Sequence, residues 1–270
     1  MILYPNAKIN IGLKVLNKRE DGFHNLETLF YPVEKCDILE VVESPELVIE
    51  QYGIGIPAKA GDDSVAMVPQ DNLCVKAYRL LQEEFDIPPV AIYLQKNIPV
   101  GAGLGGGSSD AAHTILALND LYNLNLTKSR MAQYASRLGS DCAFFIYNTP
   151  MMGEGRGEVL TPYSLDALSD YEIKLVHPPV FVSTADAYRG IVPRDKMSAA
   201  FGAELDNRSL YELLKQPVGE WKESVVNDFE ATVFAKYPVL AEYKKALYEE
   251  GAIYAAMSGS GSTMFGIFRK

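Results

Sequence analysis

The chain has 270 residues, 48% hydrophobic and 22% charged, enough to bury a sizeable core in one large domain or two ordinary ones. Its formal net charge of −10 speaks against a general binder of nucleic acid or anionic membrane, since both need a basic face. A local basic pocket for a phosphorylated small molecule is not excluded. The cysteines, Cys36, Cys74 and Cys142, lie far apart without CxxC spacing, so they are expected to be reduced thiols of a cytoplasmic protein and offer no metal site. The first residues reach Pro5 and Lys8 too early for a signal peptide, and no run of about 18 apolar residues predicts a membrane span.

Lys8 to Val15, Leu26 to Val33, Asp37 to Val42 and Leu47 to Gln51 read as short strands rich in Val, Ile, Leu and aromatics. The mixture of Gly, Pro, Ala and Asp from Gly53 to Asp63 reads as a loop. Asp71 is placed to cap a helix from about Asn72 to Phe85, with Ala77, Leu80, Leu81 and Phe85 at helical spacing. Val90 to Leu94 is β-rich. It leads into Pro99-Val100-Gly101-Ala102-Gly103-Leu104-Gly105-Gly106-Gly107-Ser108-Ser109-Asp110-Ala111, after which a helix is expected from Ala111 to Tyr122. Thr127 caps another helix to about Leu138, and Gly139 ends it. Beyond about Tyr163 the pattern changes. Tyr171 to Val176, Ile253 to Met257 and Thr263 to Phe268 read as buried strands, with helical stretches at Ser209 to Leu214, Phe229 to Phe234 and Val239 to Glu249. This order predicts an α+β protein of two domains, residues 1–162 and 163–270.

Strand, glycine loop, helix is the sequence form of a phosphate cradle. Glycines let a ligand approach the backbone, and the free N–H groups and positive dipole end of the helix favour anions. Gly101 to Gly106 formally matches GxGxxG, but the second strand of a dinucleotide fold, with its terminal acidic residue, does not follow. Gly107 is followed by Ser108 without the lysine of a Walker loop, and no His-Arg-Asp or Asp-Phe-Gly accompanies the loop as in protein kinases. A merely tight packing turn is the plain alternative.

Pro99, Gly103-Leu104-Gly105 and Gly106-Gly107-Ser108-Ser109-Asp110-Ala111-Ala112 together resemble the central motif of the GHMP small-molecule kinases. Two further motifs of that family stand in order: Pro5-Asn6-Ala7-Lys8-Ile9-Asn10, and the second glycine loop Met257-Ser258-Gly259-Ser260-Gly261-Ser262. Asp21-Gly22-Phe23-His24-Asn25-Leu26 and Gly139-Ser140-Asp141-Cys142 are similar to the branch acting on 4-(cytidine 5'-diphospho)-2-C-methyl-D-erythritol in the non-mevalonate isoprenoid route. Phe23 departs from the family, where tyrosine is usual; the aromatic face survives and a hydroxyl is lost. The resemblance implies an N-terminal domain like ribosomal protein S5, a ferredoxin-like C-terminal domain, and transfer of phosphate from ATP to the 2-hydroxyl of that substrate.

Phosphoryl transfer needs positioning, charge stabilisation and a proton acceptor. Local sequence alone favours Asp141 as a cap for the next short helix; the resemblance makes it the base, and the two roles are compatible. Lys8 is its expected partner, a cation that can also meet the transferring phosphoryl group, unless it is a solvated strand lysine. Alternation along a strand puts Lys8 and Asn10 on one face and Ala7, Ile9 and Ile11 on the core face. Asn10 is expected to orient the substrate hydroxyl, the alternative being that it simply stays exposed. Backbone N–H groups from Gly103 to Ser108 are expected to hold phosphate, with Ser108 or Ser109 touching phosphate or Mg²⁺, or Ser108 capping the helix. Mg²⁺ is expected to arrive on ATP. Asn72 and Lys96 are assigned to the adenine side by resemblance. So are Phe23 and Tyr188 as a sandwich for cytosine, His24 at its edge, and Phe30 and Thr184 as further pocket residues. Gly259, Ser260 and Gly261 are expected to close over the substrate diphosphate, a plain hairpin turn being the alternative. His113 and His177 read as structural. A kinase for another alcohol, such as mevalonate or homoserine, a catalytically inactive nucleotide sensor, and a dinucleotide oxidoreductase remain alternatives. The expected state is a monomer or weak homodimer.

Overall fold

The computed structural model describes residues 1–54, 71–196 and 208–270, so most of the loop expected at 53–63 lies outside the described residues. Along the chain, β1 (Ile2–Leu3), β2 (Asn6–Lys18), β3 (His24–Cys36), β4 (Ile38–Glu43) and β5 (Val48–Gly53) precede α1 (Leu73–Gln82). β6 (Val90–Lys96) leads through the glycine loop into α2 (Gly106–Leu121), α3 (Lys128–Leu138) and α4 (Cys142–Tyr147). A hairpin follows, β7 (Met151–Gly155) and β8 (Val159–Pro162), then β9 (Tyr171–Val176) and α5 (Thr184–Arg189). The chain closes with α6 (Leu210–Leu213), α7 (Phe229–Lys236), α8 (Val239–Glu249), β10 (Tyr254–Met257) and β11 (Met264–Arg269).

These elements form two compact units. The first takes Met1–Lys8, Pro32–Val100 and Gly105–Thr149; the second takes Ile9–Tyr31, Gly101–Leu104 and Pro150–Lys270. The division is not one cut near residue 162. β2 and β3 are long enough to run from one unit into the other, and the hairpin of β7 and β8 pairs with β3 and so folds with the second unit.

In the first unit the sheet order is β1-β4-β6-β5, with β4 antiparallel to β1 and β6, and β5 parallel to β6. α1 packs on α2 and buries Cys74, Val75, Ala77, Tyr78, Leu80 and Leu81, the apolar stripe its helical period provides. Its cap is Asn72 rather than Asp71: Asn72 Oδ1 accepts the Cys74 N–H at 2.8 Å, while Asp71 stays exposed. α2 begins at Gly106, inside the glycine run, rather than at Ala111. Glycine is a poor helix former, which hides this turn in the sequence. The structure explains its use, since a Cβ at Gly106 would lie 2.8 Å from Ile98.

The second unit holds the sheets β2-β3-β7-β8 and β10-β11-β9; β9 and β10 both run antiparallel to β11. Its core joins Leu13, Val15 and Leu26 to Phe229, Val233, Leu240, Leu247, Met257 and Met264. Along β2 the expected alternation fails. Every residue from Ala7 to Val15 is buried, Lys8 and Asn10 included, because both faces of the strand are covered.

Candidate active site

In the first unit three features meet. Gly105 is left-handed (φ 71°) and opens the 16-residue helix α2, whose first turn carries no acidic residue to repel an anion. A Cβ on Gly105 would lie 3.1 Å from Lys8 Cε, so the mouth of the helix and the lysine stem are neighbours. Lys8 Nζ pairs with Asp141 Oδ2 at 3.2 Å; the lysine side chain is 4% exposed and the aspartate 31%, which leaves the acid the more open partner. Asp141 stands at the start of α4, yet its side chain makes no capping bond there. The expected ion pair is present, and the capping alternative is not.

The serines divide. Ser109 is fully buried, with Oγ 3.3 Å from His113 Nδ1, so it faces the helix interior rather than the loop. His113 itself lies 2.8 Å from Ser109 O and is held below its ordinary pKa by burial, a structural histidine. Ser108 is only partly buried and lies near Cys142, whose thiol burial pushes up to about 11. The capping reading of Ser108 fails, because Gly105 is the N-cap of α2 and no side chain makes a capping bond there.

Lys96 and Asn72 border one cavity of about 180 Å³, with Leu73, Leu94, Gly107 and Asp110 in its wall. Lys96 is buried and pairs with Asp37 and, at 2.6 Å, with Asp110 Oδ2. Burial opposes its charge, but attraction to Asp110 and Asp37 outweighs that and raises its pKa. Burial pushes Asp110 up to about 7, against the pull of Lys96 and with help from Asp37. Sequence reasoning missed both aspartates. Asp110 lay in the motif, and the apolar Ala111-Ala112 beside it was the sole hint that it would be buried.

In the second unit the two glycine segments join. Ser258 Oγ donates to Gly103 O at 2.8 Å and accepts the Asn10 N–H at 3.3 Å, while the Thr263 N–H reaches Ala102 O at 3.2 Å. A Cβ at Gly103 (φ 78°) would lie 2.0 Å from Ser258 O, so this close approach requires glycine. The side chains of Ala102 and Leu104 are buried, which limits their contribution to the backbone. Asn10 Nδ2 donates to Thr28 Oγ1 at 3.0 Å. The terminal loop joins β10 to β11 as a hairpin. Its carbonyls at Met257 and Gly259 are gripped by Asn227 Nδ2 at 2.7 and 2.8 Å, a residue the sequence did not single out. Thr184 Oγ1 lies 3.1 Å from Ser260 Oγ, bringing two expected substrate residues together.

His24 stacks on Tyr188 with ring centres 5.2 Å apart, and Tyr188 abuts Phe229 edge-on at 4.7 Å. Burial, then the charge of Lys18, lowers the His24 pKa. Phe23 is 54% exposed at the turn joining β2 to β3, with the Arg156 guanidinium 5.0 Å above its ring. This open aromatic face is the kind a base stacks on. Phe30 is buried, its ring lying over Gly153, so it shapes the interior. His177 Nδ1 meets Thr263 Oγ1 at 3.2 Å.

Two family descriptions match: the GHMP kinases N terminal domain over residues 72–149 and GHMP kinases C terminal over residues 209–270. A 4-diphosphocytidyl-2-C-methyl-D-erythritol kinase of Bacteroides fragilis is 49% identical over 99% of this chain and 92% of that protein. One of Cytophaga hutchinsonii is 46% identical, again over 99% and 92%. The crystal structure of a 4-(cytidine 5'-diphospho)-2C-methyl-D-erythritol kinase superposes with a TM-score of 0.77 at 32% identity, covering 99% of this chain and 90% of that one. A homoserine kinase from Cytophaga hutchinsonii, at 19% identity and TM-score 0.69 over 98% and 86% of the two chains, shares the fold. The chain belongs to the GHMP kinases, in the 4-diphosphocytidyl-2-C-methyl-D-erythritol kinase family.

Proposed function

We propose that the protein uses ATP to phosphorylate the 2-hydroxyl of 4-(cytidine 5'-diphospho)-2-C-methyl-D-erythritol, giving the 2-phosphate and ADP, in the cytoplasmic non-mevalonate route to isoprenoid precursors. The observation that carries this reading is the pair of Lys8 and Asp141, 3.2 Å apart, beside the glycine that opens α2. Asp141 takes the proton of the acceptor hydroxyl. Lys8 supplies positive charge where negative charge grows on the transferring group. The N–H groups at the start of α2 hold phosphate, and the ground for this is a left-handed glycine N-cap and a first turn without acidic residues.

Among the described residues no three His, Cys, Asp or Glu side chains cluster as a cation site. The Ser108 hydroxyl at the mouth of α2 is a donor that fits Mg²⁺ entering on the triphosphate, where the ion neutralises phosphate charge.

Phe23, His24 and Tyr188 favour an acceptor that carries a base, which mevalonate and homoserine lack. Thr184 and Ser260, with the N–H groups of Gly259 and Gly261, suit its diphosphate.

The test is ADP release with the cytidyl substrate, mevalonate and homoserine in parallel. Turnover is expected with the first alone. Asp141→Asn and Lys8→Ala should each lower kcat by about 10²–10⁴ with the fold intact. Near-normal turnover in both variants would overturn the catalytic assignment, and turnover with mevalonate or homoserine alone the substrate.

A further inference from the structure

Thr28 has no place in the chemistry described above, and it is buried beside a residue that has one. It lies in β3 and Asn10 in β2, both buried and both within the second unit. Asn10 Nδ2 and Thr28 Oγ1 are 3.0 Å apart, and Thr28 Oγ1 lies 2.6 Å from the carbonyl oxygen of Gly12. Two buried oxygens that close need a proton between them. A carbonyl has none to give and a hydroxyl has one. The Thr28 proton is therefore spent on Gly12 O, and toward Asn10 the Thr28 oxygen can only accept.

This settles the Asn10 amide. With its NH₂ group turned to Thr28, its Oδ1 faces the terminal loop, where a Cβ on Gly259 would lie 3.3 Å away. The reversed amide would set Oδ1 against an oxygen whose proton is already committed, two buried acceptors face to face. The backbone of Asn10 is held as well. Its N–H donates to Ser258 Oγ at 3.3 Å, and that hydroxyl donates to Gly103 O at 2.8 Å. A side chain at position 259 would cover Oδ1, and glycine leaves that oxygen within reach of a small polar group.

We propose that Thr28 is a positioning residue for the acceptor substrate: by holding the Asn10 amide in one orientation it makes Oδ1, an acceptor, the atom that meets a substrate hydroxyl. The inference rests on the kinase reading in one respect, that Asn10 orients a substrate bearing several hydroxyls. The hydroxyl that attacks gives its only proton to Asp141 in that reading, so the donor to Oδ1 is a hydroxyl on a neighbouring carbon. A flipped amide would offer N–H groups instead, and that hydroxyl would have to turn its proton elsewhere.

The experiment is steady-state ADP release by the whole protein with Mg-ATP and the cytidyl substrate. Thr28→Val keeps the shape of the side chain and removes the hydroxyl. Its kcat/KM for the cytidyl substrate should fall at least about tenfold, the weight of one good hydrogen bond, with KM for ATP within about twofold of wild type. Thr28→Ser keeps the hydroxyl and should stay within about threefold of wild type. In an Asn10→Ala background Thr28→Val should cost nothing further, whereas a merely structural threonine would add its own loss. If valine crowds Gly12 O and the variant does not fold, Thr28→Ala carries the same prediction. A second readout needs no turnover. The Asn10 side-chain NH₂ signals in the NMR spectrum, identified by their loss in Asn10→Ala, should shift and exchange faster with solvent in Thr28→Val but not in Thr28→Ser. Near-normal constants without the hydroxyl, no rescue by serine, additive losses in the double variant or unmoved NH₂ signals would each overturn the proposal. Failure of the kinase reading looks different. Wild type itself would then release no ADP with the cytidyl substrate, while the NH₂ signals would still respond to Thr28→Val.

Discussion

Replacing Lys96 by methionine should be one of the most damaging single changes in the first unit. The substitution keeps the length of the stem and removes the ammonium that faces Asp37 and Asp110, whose side chains are 0% and 4% exposed. Deleting one partner of a buried ion pair costs about 3–5 kcal/mol. Two features pull this case toward the lower end. Asp37 keeps the N–H groups of Asn97 and Ile98. Asp110 can take up a proton, since burial already pushes it up to about 7 and Lys96 opposes that shift. A loss of about 3 kcal/mol at pH 8 is expected, a large part of the roughly 5–15 kcal/mol that holds a domain together. The loss should shrink near pH 5, where Asp110 is neutral. Urea unfolding followed by circular dichroism at both pH values measures it. Lys96→Met with Asp110→Asn, which removes a buried charge of each sign, should recover part of the lost stability. A Lys96→Met protein within about 1 kcal/mol of wild type at pH 8 would refute the account, because it would mean that the cluster is solvated or unpaired.

Asp110 also sets a pH trend of its own. Its folded-state value near 7 lies above the ordinary aspartate value, so its contribution to stability is complete below about pH 4 and is lost as the pH rises through 7. Asp110→Asn should flatten that part of the curve, and a slope unchanged between about pH 5 and 8 would count against it. Gly103→Ala puts a methyl 2.0 Å from Ser258 O at a φ of 78° and should lower the unfolding free energy by at least about 2 kcal/mol, read by urea titration. Phe23→Ala should raise KM for the cytidyl substrate at least about tenfold and leave KM for ATP unchanged, whereas an equal rise in both would remove Phe23 from the base site.

The strands and most helices were legible because their apolar periods are regular, and Val239–Glu249 was read to the residue. What sequence hid has specific causes. The first turn of α2 is written in glycine, whose use there depends on Ile98 packing against it. α4, the hairpin of β7 and β8, and α5 are short, with too few residues to display a period. The burial of Lys8 and Asn10 could not be seen, since alternation reports one covered face and β2 has two. The pair of Lys8 and Asp141 was reached through motif likeness, and no local pattern links residues so distant in the chain. Asp37, Asn227 and Arg156 act through partners far along the sequence, and nothing nearby marks them.

Gly105 has a consequence for anyone seeking a more heat-tolerant enzyme. Exchanging glycine for alanine stiffens the unfolded chain and adds about 0.4–1 kcal/mol where the backbone suits alanine, which the left-handed Gly105, at a φ of 71°, does not. At 105 the added methyl would sit 3.0 Å from the Phe145 ring and 3.1 Å from the Lys8 stem, pressing on the lysine that faces Asp141. Alanine there would cost stability and turnover together. Gly219, with nothing within 4 Å of an added Cβ, is the safer place to begin.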